Sequence, residues 1–205
     1  MASLPFRSNM IRAAVALMAA FSLASCGINS IPTSEEAAKA KWADVQASYQ
    51  RRANLIGNLV AVAQQAAKLE RGTLESVINA RASATQVRLD ADDLSDPAKV
   101  EAFQQAQANM SGALSRLLVS VEQYPELKSQ ERFADLMTQL EGTENRINIT
   151  IQDYNKAVQD YNTRIRTFPE MIGAKLVYGA KPMATFEAKA GAEDAPDVGA
   201  LFNGS

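Results

Sequence analysis

The sequence predicts an all-α fold, an elongated antiparallel four-helix bundle with an irregular C-terminal tail. Long stretches repeat apolar residues at alternating steps of three and four positions, the spacing of a helix seam. No stretch before position 180 alternates apolar and polar residues as a half-buried strand would. The 205 residues are 47% hydrophobic and 21% charged, which is typical of one globular domain.

An export signal precedes the predicted bundle. Arg7 and Arg12 stand before an apolar run over residues 13–23, which is too short to span a bilayer comfortably. The run leads into a short motif of one aliphatic residue, two small residues and the single cysteine: Leu23, Ala24, Ser25 and Cys26. This motif resembles the lipoprotein box, whose thiol receives the lipid before cleavage.

We therefore expect a signal peptide over 1–25, contact with membrane lipid through acylated Cys26, with an acyl chain such as palmitate, and a tether over 26–33. Several acyl chains on one cysteine would anchor the protein stably. Three other interpretations stay open: a signal anchor that is never cut, an ordinary signal peptide cut near the same small residues, and a cytosolic protein with an apolar start.

The first two helices are predicted from a seam and a turn. Thr33 or Ser34 is the expected N-cap of the first helix. Its seam is interrupted by one polar residue, Arg52, and otherwise consists of Trp42, Val45, Tyr49, Ile56, Leu59, Ala63 and Ala66. Gly72 and Thr73 suggest a C-terminal glycine and a new N-cap, followed by a shorter helix to about Leu89.

The last two helices have clearer boundaries. Residues 90–97 form a predicted loop in which Asp96 caps the third helix and Pro97 occupies its first position. The helix ends before Pro125, and its seam keeps an unbroken four-three spacing through Val100, Phe103, Gln107, Met110, Leu114, Leu117, Val121 and Tyr124. A fourth helix runs from about Ser129 to Phe168. The bundle thus covers 34–178, and residues 179–205 form an extended or disordered tail.

Two polar stretches, residues 49–60 of the first helix and residues 140–162 of the fourth, lie side by side if these helices are antiparallel. The second contains an Asp-Tyr-Asn repeat at heptad spacing, residues 153–155 and 160–162. We expect a structural network that fixes helix register, rather than a ligand site, from Arg52, Asn54, Glu141, Glu144, Asn145, Asp153 and Asn155.

The composition argues against common enzyme designs. The chain has no histidine and one cysteine, which excludes a Ser-His-Asp triad, a Cys-His dyad, the usual His-containing zinc and di-iron motifs and a disulfide framework. Glu141 and Glu144 are three residues apart, a common spacing for solvent-facing carboxylates, so we predict no catalytic residues. No metal site and no cofactor are expected. The 21 basic and 23 acidic residues form no basic block, so nucleic acid is not an expected partner.

The sequence also suggests a second membrane contact. Four antiparallel helices return the chain to its anchored end, where residues 168–178 are rich in apolar side chains. Met171, Ile172 and Leu176, with Lys175 and Lys181 beside them, would then rest in the lipid interface. The alternative is an end cap for the bundle core.

The sequence resembles the LemA family of bacterial envelope proteins. The resemblance covers about residues 28–198 and is carried by Tyr49-Gln50-Arg51-Arg52, Asn58-Leu59-Val60, the stretch from Leu140 to Ile147, the two Tyr-Asn pairs, Arg166-Thr167-Phe168-Pro169 and Phe186-Glu187-Ala188. It implies a membrane-tethered, extracytoplasmic helical bundle without a known enzymatic mechanism. Gly57 stands where members commonly carry proline, and the lipoprotein box stands where many have a transmembrane helix.

The expected function is therefore a lipid-anchored, non-enzymatic scaffold or adaptor in the cell envelope, periplasmic if the cell has an outer membrane. Its partner would be an unidentified envelope protein. Two alternatives are kept: a purely architectural spacer, and an envelope enzyme that uses carboxylates. Exposed aromatic residues or a large apolar patch would favour a partner site.

Overall fold

The structure, a computed structural model, describes residues 29–65 and 71–186, and every regular element in these two ranges is helical. The all-α class is confirmed, whereas the elongated four-helix arrangement as a whole stays a prediction. The elements are α1 (Ser30–Ala63), α2 (Arg71–Gln86), a 3₁₀ turn (Ala91–Ser95), α3 (Pro97–Val121), α4 (Pro125–Lys128), α5 (Glu131–Arg166), α6 (Glu170–Gly173) and a π-helical turn (Ala174–Tyr178).

The first helix begins earlier than its predicted N-cap. Neither Thr33 nor Ser34 caps α1, because both lie inside the helix. The Thr33 hydroxyl donates to the Asn29 carbonyl and the Ser34 hydroxyl to the Ile31 carbonyl, each at 2.9 Å. Ile31 is fully buried in the apolar core, which favours continuing the helix back to Ser30. Residues 30–33 of the predicted tether are therefore helical.

The predicted break between the first two helices exists at another position. The helix α1 ends at Ala63, and α2 begins at Arg71, so Gly72 and Thr73 lie in the first turn of α2. The expected seam residue Ala66 lies outside the described residues. The helix α2 ends at Gln86 rather than near Leu89, whose carbonyl accepts hydrogen bonds from the side chains of Trp42 and Gln46.

The start of α3 is as predicted. Pro97 is its first residue, and the Asp96 carboxylate accepts hydrogen bonds from the backbone N–H groups of Ala98 and Lys99 at 3.0 and 3.4 Å. A 3₁₀ turn lies within the predicted loop before it. The short helix α4 between α3 and α5 was not predicted.

The helices α1 and α5 run antiparallel. Lys41 contacts Asp153 at 3.3 Å, and Arg52 contacts Glu144 at 3.1 Å, so residue numbers fall along α5 as they rise along α1. The start of α1 therefore lies beside the end of α5. Within the described ranges, no helix is both long and apolar enough to cross a bilayer.

The core consists of two apolar clusters. The cluster beside the start of α1 includes Ile31, Trp42, Leu94, Phe103, Tyr154 and Ile165, and it also takes in Met183 and Phe186 from the tail. The other cluster includes Leu55, Leu59, Val77, Met110, Leu117, Phe133 and Leu140. The part of the tail over residues 179–186, called the strap below, has no regular secondary structure and begins with Gly179 in the left-handed region at a φ of 57°.

Candidate functional site

A polar layer centred on Arg52 lies between the two apolar clusters. Arg52 is only 3% exposed, although it carries a permanent positive charge. Its Nη1 donates to Glu144 and to the Ser111 hydroxyl, both at 3.1 Å. Its Nη2 donates to the side-chain and backbone oxygens of Gln107 at 2.8 and 3.2 Å, and the guanidinium lies 5.0 Å from the Tyr49 ring centroid. The layer thus joins α1, α3 and α5.

Only part of the predicted network lies in this layer. Arg52 and Glu144 meet, whereas Asn54 accepts a hydrogen bond from Gln50 one turn earlier on α1. Glu141 and Asn145 are exposed on α5 and contribute no contact to Arg52. Asn145 follows Glu144 directly and therefore points about 100° away from it around the helix, whereas Glu141 lies about one turn, or 4.5 Å, further along α5.

Two further members of the predicted network contact other partners. Asp153 pairs with Lys41 in an exposed salt bridge at 3.3 Å. Asn155 contacts the strap, as described below. The seven residues therefore do not form one network: Arg52 and Glu144 meet in the polar layer, while Asn54, Asp153 and Asn155 each contact a different partner.

The Asp-Tyr-Asn repeat of α5 holds the strap through backbone groups. Asn162 accepts from the Met183 N–H at 2.9 Å and donates to the Met183 carbonyl at 2.8 Å. Asn155 makes the same pair of bonds with Phe186, each at 2.9 Å. The hydroxyl groups of Tyr161 and Tyr154 donate to the carbonyls of Lys181 and Ala184.

The spacing of the repeat matches the strap. One heptad of α-helix rises about 10.5 Å, and three residues of extended chain span about 10 Å. The two asparagines can therefore bind Met183 and Phe186 with the same geometry. The side chains of these two strap residues enter the core, where the Phe186 ring lies 5.5 Å from the Trp42 ring and 5.7 Å from the Tyr154 ring. Burial raises the pKa of Tyr154 and of Tyr161, so both hydroxyl groups remain protonated donors at neutral pH.

A shallow cleft lies beside the polar layer. It has a volume of about 270 Å³ and is lined by α1, α3, the end of α2 and the segment after α2, including Tyr49, Thr85, Arg88 and Asp90. Burial is the main cause that raises the pKa of Tyr49. Among the described residues, no three acidic or cysteine side chains converge as metal ligands would.

An exposed apolar surface lies at the end of the molecule where α1 begins. We call it the apolar tip, and it consists of Phe168, Ile172, Leu176 and Val177. Leu176 is 81% exposed and Phe168 is 77% exposed. Of the three residues of the predicted membrane contact, Ile172 and Leu176 belong to the tip, whereas Met171 is half-buried. The residues of the predicted lipid attachment, Leu23, Ala24, Ser25 and Cys26, lie outside the described residues.

Comparison with known proteins identifies the family. The model of the LemA family matches residues 41–199, which include the polar layer, the Asp-Tyr-Asn repeat and the strap. The chain belongs to the LemA family. The resemblance found in the sequence is thereby confirmed.

Magnetosome proteins are among the similar curated relatives of this LemA-family chain. Magnetosome proteins MamQ 1 and MamQ 2 of Paramagnetospirillum magneticum are each 27% identical to it over 181 residues, covering 80% of this chain and 66% of the relative. Magnetosome protein MamQ of Magnetospirillum gryphiswaldense is 28% identical over 157 residues, covering 69% of this chain and 58% of the relative. The chain thus spans about two thirds or less of the length of these relatives.

Two parts of the site were missed from the sequence. Gln107 and Ser111 of α3 supply acceptors to Arg52, and Gln107 had a visible signal as the one polar residue of its seam. The strap had none of comparable strength, because the repeat binds its backbone rather than particular side chains.

Proposed function

We propose that this LemA-family chain is anchored by acylated Cys26 on the extracytoplasmic side of a bacterial membrane and acts there as a non-enzymatic scaffold or adaptor for another envelope protein. The observation that carries this proposal is the small number of residues between Cys26 in the sequence and the start of α1. Because α1 begins at Ser30 and Ile31 is fully buried, only residues 27–29 separate Cys26 from α1, and the four chain steps from Cys26 to Ser30 span at most about 14 Å. An acylated Cys26 would hold the bundle directly against the membrane.

The contacts of the buried charge support a structural function. Arg52 is neutralised by Glu144 and binds acceptors from two other side chains, so this cation joins helices to each other. Glu144 is occupied by that contact, and Glu141 is exposed one turn earlier. A charge held in this manner fixes the register of α1, α3 and α5, as a scaffold with a defined surface requires.

Anchoring is tested by labelling cells with an alkyne-bearing fatty acid and isolating the tagged full-length protein. We expect label on the wild type, which should co-sediment with membranes, and no label on the Cys26→Ser variant. Ser25→Ala is a matched control, because it changes the adjacent residue and keeps both a small side chain and the thiol. An unlabelled wild-type protein would contradict the proposal.

The scaffold function is tested by crosslinking the full-length protein in cells and identifying partners by mass spectrometry. We expect one envelope protein to be captured reproducibly by the wild type and to be lost with Cys26→Ser. Crosslinks only between copies of this chain would favour the architectural spacer instead.

A further inference from the structure

The apolar tip has the composition of a surface that enters a lipid interface. Ile172 and Leu176 lie four residues apart in the segment formed by α6 and the π-helical turn, and Phe168 lies in the turn just before α6; all three side chains are exposed. Val177 follows Leu176 in the chain and is 63% exposed. Such a contiguous set of large apolar side chains is unusual on a surface that faces only water.

The position of the tip indicates which partner it meets. The antiparallel pairing of α1 and α5 places the end of α5, and the residues that follow it, beside Ser30. Ile31, Ile165 and Ala174 share one apolar cluster, which fixes the tip to that end of the core. Only residues 27–29 separate Cys26 from Ser30, so an anchored chain would present this end to the bilayer.

The charges around the tip are mainly positive. Arg164, Arg166, Lys175 and Lys181 are exposed on the flanking segments, and none of them forms an ion pair within the described part of the chain. Glu170 is the one acidic residue between positions 161 and 181. The nearby acidic residues of α1 and of the 3₁₀ turn, Glu35, Glu36 and Asp92, are grouped around Lys39. Unpaired cations beside an apolar surface are suited to anionic lipid headgroups.

We propose that the apolar tip inserts into the headgroup and upper acyl region of a bilayer that contains anionic lipid, as a second membrane contact besides the Cys26 anchor. Phe168, Ile172, Leu176 and Val177 enter the interface, while the four cations contact phosphate groups. The orientation rests on the anchoring proposed above, whereas the affinity of the tip for lipid is a property of its own residues. The two contacts together would hold the long axis of α1 and α5 at a defined angle to the membrane.

The test uses fluorescence quenching by lipids in the full-length protein. Trp42 is the only tryptophan and is buried, so bromolipids should quench the fluorescence of the parent protein only weakly. The full-length Leu176→Trp variant is reconstituted into vesicles of phosphatidylcholine and phosphatidylglycerol whose acyl chains are brominated near the headgroups. We expect the bromolipids to quench its added emission at least about threefold more than that of the control variant, because bromine quenches only on close contact with the interface.

The matched control is Val119→Trp. Val119 is an apolar side chain that is 70% exposed, and it lies near the end of α3, about 33 Å along the helix from Pro97. Its new tryptophan is equally accessible but far from the tip. Vesicles of phosphatidylcholine alone should give weaker quenching of the Leu176→Trp variant, because the four cations then lose their anionic partners.

Equal quenching of the Leu176→Trp and Val119→Trp variants would overturn the proposal. An added tryptophan at the tip that is shielded from aqueous acrylamide yet not quenched by bromolipid would overturn it too, because residues 187–205 or a second copy of the chain would then cover the tip. Acylation of Cys26 is measured by mass spectrometry on the same samples. A failed anchor and a failed tip contact therefore give different results.

Discussion

Replacing Asn162 with alanine should release the middle of the strap. The change removes the bond that Asn162 accepts from the Met183 N–H at 2.9 Å and the one it donates to the Met183 carbonyl at 2.8 Å. A partly buried hydrogen bond contributes about 0.5–1.5 kcal/mol net, so two bonds contribute about 1–3 kcal/mol to docking. A change of 1.4 kcal/mol alters the equilibrium constant for release of the strap tenfold. Because the Met183 amide exchanges with solvent from the released state, its exchange should become about 5 to 150 times faster.

Hydrogen exchange at single-residue resolution is the assay, because the Met183 amide is itself the donor that loses its partner. Asn148→Ala is a matched control: Asn148 lies two heptads before Asn162, is exposed, and follows isoleucine where the repeat has tyrosine. Both substitutions change helix propensity equally, so only the strap contact differs between them. A Met183 amide that exchanges at the same rate in both variants would refute the inference that the repeat holds the strap.

Three further predictions concern packing and pH. Arg52→Met should lower the free energy of unfolding by about 1–3 kcal/mol, because the buried side-chain oxygen of Gln107 loses its donor. Adding Gln107→Leu should recover most of the loss, as measured by urea denaturation. Gly57→Ala should stabilise α1 by about 1 kcal/mol in a background that already carries Arg81→Ala. It should stabilise α1 less in the wild-type background, because the new Cβ would lie 3.2 Å from the Arg81 guanidinium, which must then move. Burial raises the pKa of Tyr154, so above about pH 10 the tyrosine ionises more readily in the unfolded chain than in the folded protein. The free energy of unfolding should therefore be retained below about pH 10 and fall as the pH rises further. This fall, measured from urea midpoints, should be smaller in Tyr154→Phe.

Helix boundaries that are marked by a capping residue or a proline were predicted well, and boundaries without such a residue were not. Asp96 and Pro97 define the start of α3 through a side-chain cap and a fixed φ, and both signals depend only on adjacent residues. The end of α1 at Ala63 has neither glycine nor proline to mark it. Gly72 and Thr73 imitate a helix boundary by residue type, yet they lie in the first turn of α2.

The polar layer was half visible for a related reason. Arg52 was predicted as a polar interruption of the seam of α1, whereas Gln107 was counted with the seam of α3, although it is a polar residue at a buried position. The apolar periodicity of a helix predicts that a position faces the core, but it does not predict which neighbouring helix supplies the partner of a polar residue there. The pairing of Arg52 with Gln107 depends on the relative height of two helices, which only the folded structure defines.

The strap also determines how the apolar tip is presented. Residues 168–178 are joined at one end to α5, and at the other end Tyr161 and Asn162 bind the Lys181 carbonyl and the Met183 backbone. Ala174 is buried between these two attachments, and its carbonyl accepts a hydrogen bond from the Ala180 N–H. Because both ends of this short segment are fixed, its four apolar side chains are held outward together rather than collapsing onto the core. The Asn162→Ala change should therefore weaken bromolipid quenching of a tryptophan at position 176, although Asn162 itself lies outside the tip. Unchanged quenching would show that α5 and Ala174 suffice to position the tip.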